Sequence, residues 1–158
     1  MPRNLRLIVL AALAAVTLAA CGGSSKSPRA ELVAKADPIC KQVSVKRKAA
    51  NEALAKAGGT SPKGLQLLGR LAPSVAAYEL QAVERLQTLK APSALEQDWQ
   101  HLLAGMHQLA EDAVQIGAQA KANKLKNVES ITSSARVLRQ QLTAIATRNG
   151  FTYCGITS

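Results

Sequence analysis

The sequence predicts an all-α protein: an antiparallel four-helix bundle with kinked helices, stapled by one disulfide. Beyond residue 27, Ala, Leu, Gln, Lys and Glu dominate, and no alternating run of Val, Ile or Thr indicates a strand. Four segments carry apolar residues at three- and four-residue steps, and short turns containing Gly, Pro or Asn separate them. Such segments pack most simply as an antiparallel bundle in which each helix buries one apolar face. A three-helix bundle with one separate helix is the alternative.

The first helix is expected to begin at Ser27-Pro28 and to end at Gly58-Gly59, because proline suits a first helical turn and glycine follows a last one. Asp37-Pro38 inside it predicts a kink or a restart, since these are residue types of an N-cap and a first turn. Its expected inward residues are Leu32, Ala36, Cys40, Val43, Ala50, Leu54 and Ala57.

The second helix is predicted to run from Ser61-Pro62 to about Leu89. Pro73 lies inside it and should kink it, because proline removes a backbone hydrogen bond and crowds the preceding turn. The residues expected to face inward are Leu68, Leu71, Val75, Tyr78, Ala82, Leu86 and Leu89.

The third and fourth helices have clear apolar periodicity. Ser93-Ala94-Leu95-Glu96 has the sequence of a capping box and predicts the start of the third helix. The fourth is predicted from about Asn127 to Gly150. The expected inward residues of the two helices are Leu95, Trp99, Leu102, Met106, Leu109, Ala113, Ile116 and Ala120, and then Val128, Ile131, Ala135, Leu138, Leu142 and Ile145.

The amino-terminal residues have the pattern of an export signal. Arg3 and Arg6 precede an apolar stretch over residues 7–20, which stops at Cys21. A membrane-spanning helix needs about 20 apolar residues, so this stretch is too short to remain as an anchor. We therefore expect a cleaved signal peptide over residues 1–20, a flexible tether over 21–27 and one helical domain over 28–158.

The cleavage region, Leu18-Ala19-Ala20-Cys21, resembles the lipobox of bacterial lipoprotein signal peptides. The resemblance implies that the Cys21 sulfur receives diacylglycerol and that the chain is cut before Cys21. It also implies attachment to membrane lipid at the extracytoplasmic face of the cell membrane, since two acyl chains anchor a protein stably. An ordinary secretory signal is the alternative. The mature chain as a whole is similar to uncharacterised small helical lipoproteins of high-GC actinobacteria, a resemblance that implies no particular activity.

The cysteines predict one disulfide. With Cys21 used for lipidation, Cys40 and Cys154 remain of the three cysteines, and an exported protein meets an oxidising environment that permits their pairing. In an antiparallel four-helix bundle the start of the first helix and the end of the last lie at the same end. A Cys40–Cys154 disulfide with a structural role is therefore expected.

The charge of the chain predicts an affinity for anionic surroundings. Twenty Lys and Arg residues against ten Asp and Glu residues give a formal net charge of +10. Aromatic residues make up only 3% of the chain and the protein is expected to be exported, so nucleic acid is not an expected partner. Lys41, Lys48 and Lys56 share the expected outer face of the first helix. They are candidates for binding an anionic surface, and a merely solvated helix face is the alternative.

The sequence contains no catalytic motif, and we expect neither enzymatic activity nor a cofactor. His101 and His107 would point about 120° apart on a helix and cannot share a metal ion as an i, i+4 pair. Asp98 and His101 have the spacing of helical-bundle metal sites, but the expected inward faces offer no further carboxylate. No metal site is therefore predicted.

The leading functional hypothesis is a non-catalytic, lipid-anchored envelope protein that binds a partner protein or an anionic surface such as an envelope polymer. The alternative is a carrier of a small ligand or a metal ion. A carrier would use a gap between the helices, located either near Pro73 or near Met106-His107.

Overall fold

The computed structural model describes residues 27–155, and within this range the chain forms a four-helix bundle, as predicted. The predicted signal peptide, the lipobox residues Leu18 to Cys21 and most of the tether lie outside the described residues. The helices are α1 (Pro28–Lys56), α2 (Pro62–Gln87), α3 (Glu96–Lys121) and α4 (Leu125–Arg148).

Consecutive helices run antiparallel. As residue numbers rise along one helix, the numbers of the residues that they contact on the next helix fall. The successive approaches are Gln42–Arg85 and Arg47–Glu79 between α1 and α2, Gly69–Lys121 and Pro73–Gly117 between α2 and α3, and Asp98–Arg148 and Gly105–Leu142 between α3 and α4.

Helix α1 begins and ends where the sequence predicts, within two residues. The Ser27 hydroxyl accepts a hydrogen bond from the Ala30 amide, so Ser27 is a helix cap rather than part of the tether. The predicted restart at Asp37-Pro38 is wrong, because α1 is one uninterrupted helix through Pro38. The Asp37 carboxylate instead accepts hydrogen bonds from the backbone amides of Thr152 and Tyr153, with N···O distances of 2.9 to 3.1 Å. These bonds hold the carboxy-terminal segment against α1.

The predicted inward face of α2 is wrong in part. Tyr78 is 44% exposed, and Leu68, Leu71 and Val75 are only half-buried. The buried face consists instead of Leu65, Ala72, Ala76, Glu79, Ala82, Val83 and Leu86, together with Gly64 and Gly69.

The close approach of α2 and α3 explains why α2 is rotated about its own axis relative to the prediction. A Cβ atom added to Gly117 would lie 2.7 Å from Cδ of Pro73, and one added to Gly69 would lie 2.7 Å from Cγ of Lys121. Because small residues let the two helices approach, the face of α2 that carries glycine and alanine packs against α3. Leu68, Leu71 and Val75 are left at the edge of this contact.

The predicted capping box before α3 does not form. Ser93–Leu95 is a turn of 3₁₀-helix, α3 begins at Glu96, and Leu95 precedes it without a side-chain cap. The Glu96 carboxylate accepts a hydrogen bond from Gln100 at 2.9 Å instead of reaching back to the cap. The apolar face of α3 is nevertheless as predicted, except that Ala113 is half-buried.

The carboxy-terminal segment after α4 folds back and contacts both α1 and α4. Gly150 has a φ of +80°, and the chain then turns so that Phe151 stacks on Trp99 with ring centroids 5.7 Å apart. Cys154 is fully buried and forms the predicted disulfide with Cys40, with 4.9 Å between their Cα atoms. The disulfide therefore links the first half of α1 to the segment that follows α4.

The core is divided into two clusters. The larger surrounds Trp99, Leu102 and the disulfide, and the smaller is formed by Leu65, Ala72, Ile116, Ala120 and Val128. All buried residues of α1 precede residue 44, and the second half of that helix contributes none. This loose packing of α1 leaves space beside the smaller cluster.

Candidate functional site

A cavity of about 100 Å³ lies beside the second half of α1, and residues of all four helices line it. It is partly open to solvent. The apolar lining residues are Ala50, Leu54, Leu68, Leu71, Ala72, Val75, Ala113 and Ile116, and the polar ones are Arg47, Asn51, Glu79 and Arg139.

The position of the cavity matches one of the two gaps that the sequence indicated. Ala72 and Val75 flank Pro73 on α2, and both contribute to the lining. Near Met106, the other indicated gap, the space measures only about 20 Å³. Met106 itself is buried, whereas His107 faces solvent.

The apolar wall follows from the rotation of α2. Leu68, Leu71 and Val75 lie beside the tight α2–α3 contact, and the second half of α1 does not cover them fully. The wall consists only of aliphatic side chains, with no aromatic ring among the lining residues. It can therefore hold a small aliphatic group by burial, without stacking.

A buried ion pair forms one polar part of the cavity. Nε and Nη2 of Arg47 donate to the same Glu79 oxygen, Oε1, at 3.1 and 2.6 Å. The side chains of Arg47 and Glu79 are only 15% and 5% exposed. Burying a carboxylate costs free energy, and the two hydrogen bonds and opposite charge of Arg47 offset that cost for Glu79.

Arg139 is the second cation of the cavity. Its Nε is buried and has no hydrogen-bond partner among the described residues. Burial lowers the pKa of Arg139, and the nearby positive charge of Arg47 lowers it further, while Glu79 acts in the opposite direction. Arginine nevertheless remains protonated in proteins, so this side chain keeps a positive charge at the edge of the cavity.

Sequence reasoning missed Glu79 and Arg139. The inward faces were expected to contain no carboxylate, but Glu79 is 3% exposed and lies in the core-facing row of α2. The prediction placed Tyr78 in that row, and a shift of one position along the helix exchanges the two. The one available signal was the glycine and alanine spacing around Pro73, which indicates the closely packed face.

The structure places Lys41, Lys48 and Lys56 on the exposed side of α1, away from the buried row of that helix. The ammonium group of Lys41 lies 5.4 Å from the ring centroid of Tyr153. Their grouping on one face agrees with the predicted position. Binding of an anionic surface by these lysines stays a prediction.

The histidines lie on the surface of α3. His107 and Glu111 approach to 3.7 Å, with both side chains about half exposed. The Asp98 carboxylate accepts hydrogen bonds from Arg148 and Asn149, which lower its pKa to about 2. Between residues 27 and 155, no group of three His, Cys, Asp or Glu side chains is placed to hold a metal ion.

Comparison with known proteins found no matching family model, no matching curated protein and no matching solved structure. Among the helices of the described range, none is both long and apolar enough to cross a membrane.

Proposed function

We propose that this protein is a lipid-anchored, extracytoplasmic binding protein that holds a small ligand in the cavity between its helices. The cavity is the observation that carries the proposal. It combines an aliphatic wall with a few convergent polar groups, which is the composition of small-molecule sites. Binding without chemistry is the function proposed.

Filling the cavity should abolish binding. Ala50 lines the cavity, and Ala50→Leu adds three carbon atoms to a space of about 100 Å³. We expect saturation-transfer NMR of the full chain in lipid nanodiscs to detect binding of molecules from a set of two- to six-carbon alcohols, amines and carboxylic acids. Ala50→Leu should remove that binding.

Ala49→Leu is the matched control, because Ala49 is exposed on the same helix and does not line the cavity. It should bind the same compounds as the wild type. Equal binding by wild type and Ala50→Leu would contradict the proposal, as would the absence of any ligand within the set. Circular dichroism of both variants checks that the helices are retained.

The lipid anchor is supported by the sequence Leu18-Ala19-Ala20-Cys21 after an apolar stretch. We expect the wild-type chain to partition into the detergent phase and to carry a diacylglyceryl mass on Cys21. Cys21→Ser should lose both properties, whereas Ser24→Ala should keep them. A wild-type mature protein without the diacylglyceryl mass would show that the anchor assignment is wrong.

Binding of a partner protein or an anionic surface through Lys41, Lys48 and Lys56 is the second candidate. The exposure of these three side chains on one face of α1 favours it. Exposed lysines are also the ordinary composition of a solvated helix face, and their contribution to binding would be screened by salt. The cavity combines an apolar wall with a few charged groups, which is more specific than a set of exposed lysines. Ligand binding in the cavity is therefore the first candidate function.

A further inference from the structure

The charges around the cavity do not balance. Arg47 and Arg139 are two cations, and Glu79 is the one anion among the lining residues. Arg47 donates two hydrogen bonds to Glu79, so the charges of these two residues neutralise each other. Asp112, which does not line the cavity, also attracts the charge of Arg139, but among the described residues Arg139 Nε has no hydrogen-bond partner beside the apolar wall.

Arg139 also carries a hydrogen-bond donor for which the described part of the chain provides no acceptor. Its Nε–H is buried and makes no hydrogen bond within residues 27–155. A buried donor without an acceptor destabilises a protein, and more so when the group is charged. An anion at this point would accept the Nε–H bond and balance the charge. A carboxylate suits the planar guanidinium because it offers two oxygen atoms in a matching plane.

The apolar wall of the cavity determines which group the ligand carries beside its carboxylate. Eight aliphatic residues form its apolar wall, and its volume is about 100 Å³. An apolar cavity of about 150 Å³ holds benzene, which has six carbons, so this one holds about four. Inorganic phosphate would leave the apolar wall unused, and an alkylammonium ion would be repelled by Arg139.

We propose that the cavity binds a free short-chain aliphatic monocarboxylate, with its carboxylate on Arg139 and its alkyl chain against Leu68, Leu71 and Ile116. This inference rests on the proposed function and specifies the ligand class. Since the cavity is partly open, chains somewhat longer than four carbons can extend towards solvent.

Isothermal titration calorimetry of the full chain in nanodiscs tests this ligand class, with empty nanodiscs subtracted. Sodium butyrate, 1-butanol and butylammonium chloride have the same number of carbons and differ in the head group. We expect butyrate to bind at least tenfold more tightly than 1-butanol and butylammonium not to bind. Acetate and inorganic phosphate should bind at least tenfold more weakly than butyrate.

Arg139→Met keeps an unbranched side chain but removes the charge and the donors. It should weaken butyrate binding at least tenfold and leave 1-butanol binding unchanged, while Arg139→Lys should restore part of the butyrate affinity. Arg136→Met is the matched control, because Arg136 is exposed on the same helix and does not line this cavity. It should bind butyrate like the wild type.

The outcomes separate this inference from the proposed function. If 1-butanol binds as tightly as butyrate, or if Arg139→Met retains wild-type butyrate affinity, the carboxylate inference is wrong although the cavity still binds ligands. If none of the compounds binds the wild type, both proposals are wrong. Circular dichroism and the melting temperature of each variant confirm that a loss of binding does not come from unfolding.

Discussion

Removal of the Cys40–Cys154 disulfide is expected to lower the free energy of unfolding by up to about 5 kcal/mol, as the chain-entropy model gives for a loop of this length. The cysteines are 114 residues apart, so the crosslink restricts most of the unfolded chain. Since small domains have a total stability of about 5 to 15 kcal/mol, this is a large fraction. Urea unfolding of Cys40→Ala/Cys154→Ala beside the wild type measures the difference.

The native fold should survive the loss of the disulfide. The carboxy-terminal segment is also held by the bonds from Thr152 and Tyr153 to Asp37 and by the stacking of Phe151 on Trp99. We therefore expect unchanged far-ultraviolet circular dichroism without urea, together with a lower urea midpoint.

Two controls isolate the disulfide. A reducing agent should lower the urea midpoint of the wild type and leave that of the double variant unchanged. Cys21→Ser, which keeps both paired cysteines, should respond to reduction like the wild type. Two free thiols in the denatured, unreduced wild type would contradict the crosslink, and a midpoint insensitive to reduction would contradict its contribution to stability.

The order of the helices and the disulfide could be predicted from local signals. Proline and glycine at the ends of α1 and the apolar periodicity of α3 depend on residues close together in sequence. The pairing of Cys40 with Cys154 then followed from the antiparallel order, once the lipobox resemblance had assigned Cys21 to lipidation. The restart at Pro38 was wrong because tertiary contacts used Asp37 elsewhere, as an acceptor for the amides of Thr152 and Tyr153.

The candidate site was harder to predict because it depends on the rotation of one helix. Periodicity favours the largest apolar residues of α2 as its inward face, yet the contact with α3 selects the face that carries glycine and alanine around Pro73. This places Glu79 in the core and leaves Leu68 and Leu71 beside a cavity. Arg139 is also partly buried, and no local pattern around residue 139 indicates this.

Arg47→Met is expected to lower the free energy of unfolding by about 3 to 5 kcal/mol, the usual cost of leaving a buried charge without its partner. Glu79 is 3% exposed and would lose both hydrogen bonds that Arg47 provides. Glu79→Met should cost less, because the longer Arg47 side chain is 15% exposed and can turn towards water. Urea unfolding of both variants tests this order.

The double variant Arg47→Met/Glu79→Met should recover most of the lost stability, because apolar residues often replace a buried ion pair without net cost. The two single effects should therefore be strongly non-additive. Arg85→Met is the control, since Arg85 is exposed and bonds Gln42 across the same two helices; its effect should stay within about 0.5 kcal/mol. Additive single effects, or a loss below 1 kcal/mol for Arg47→Met, would contradict a close energetic coupling between Arg47 and Glu79.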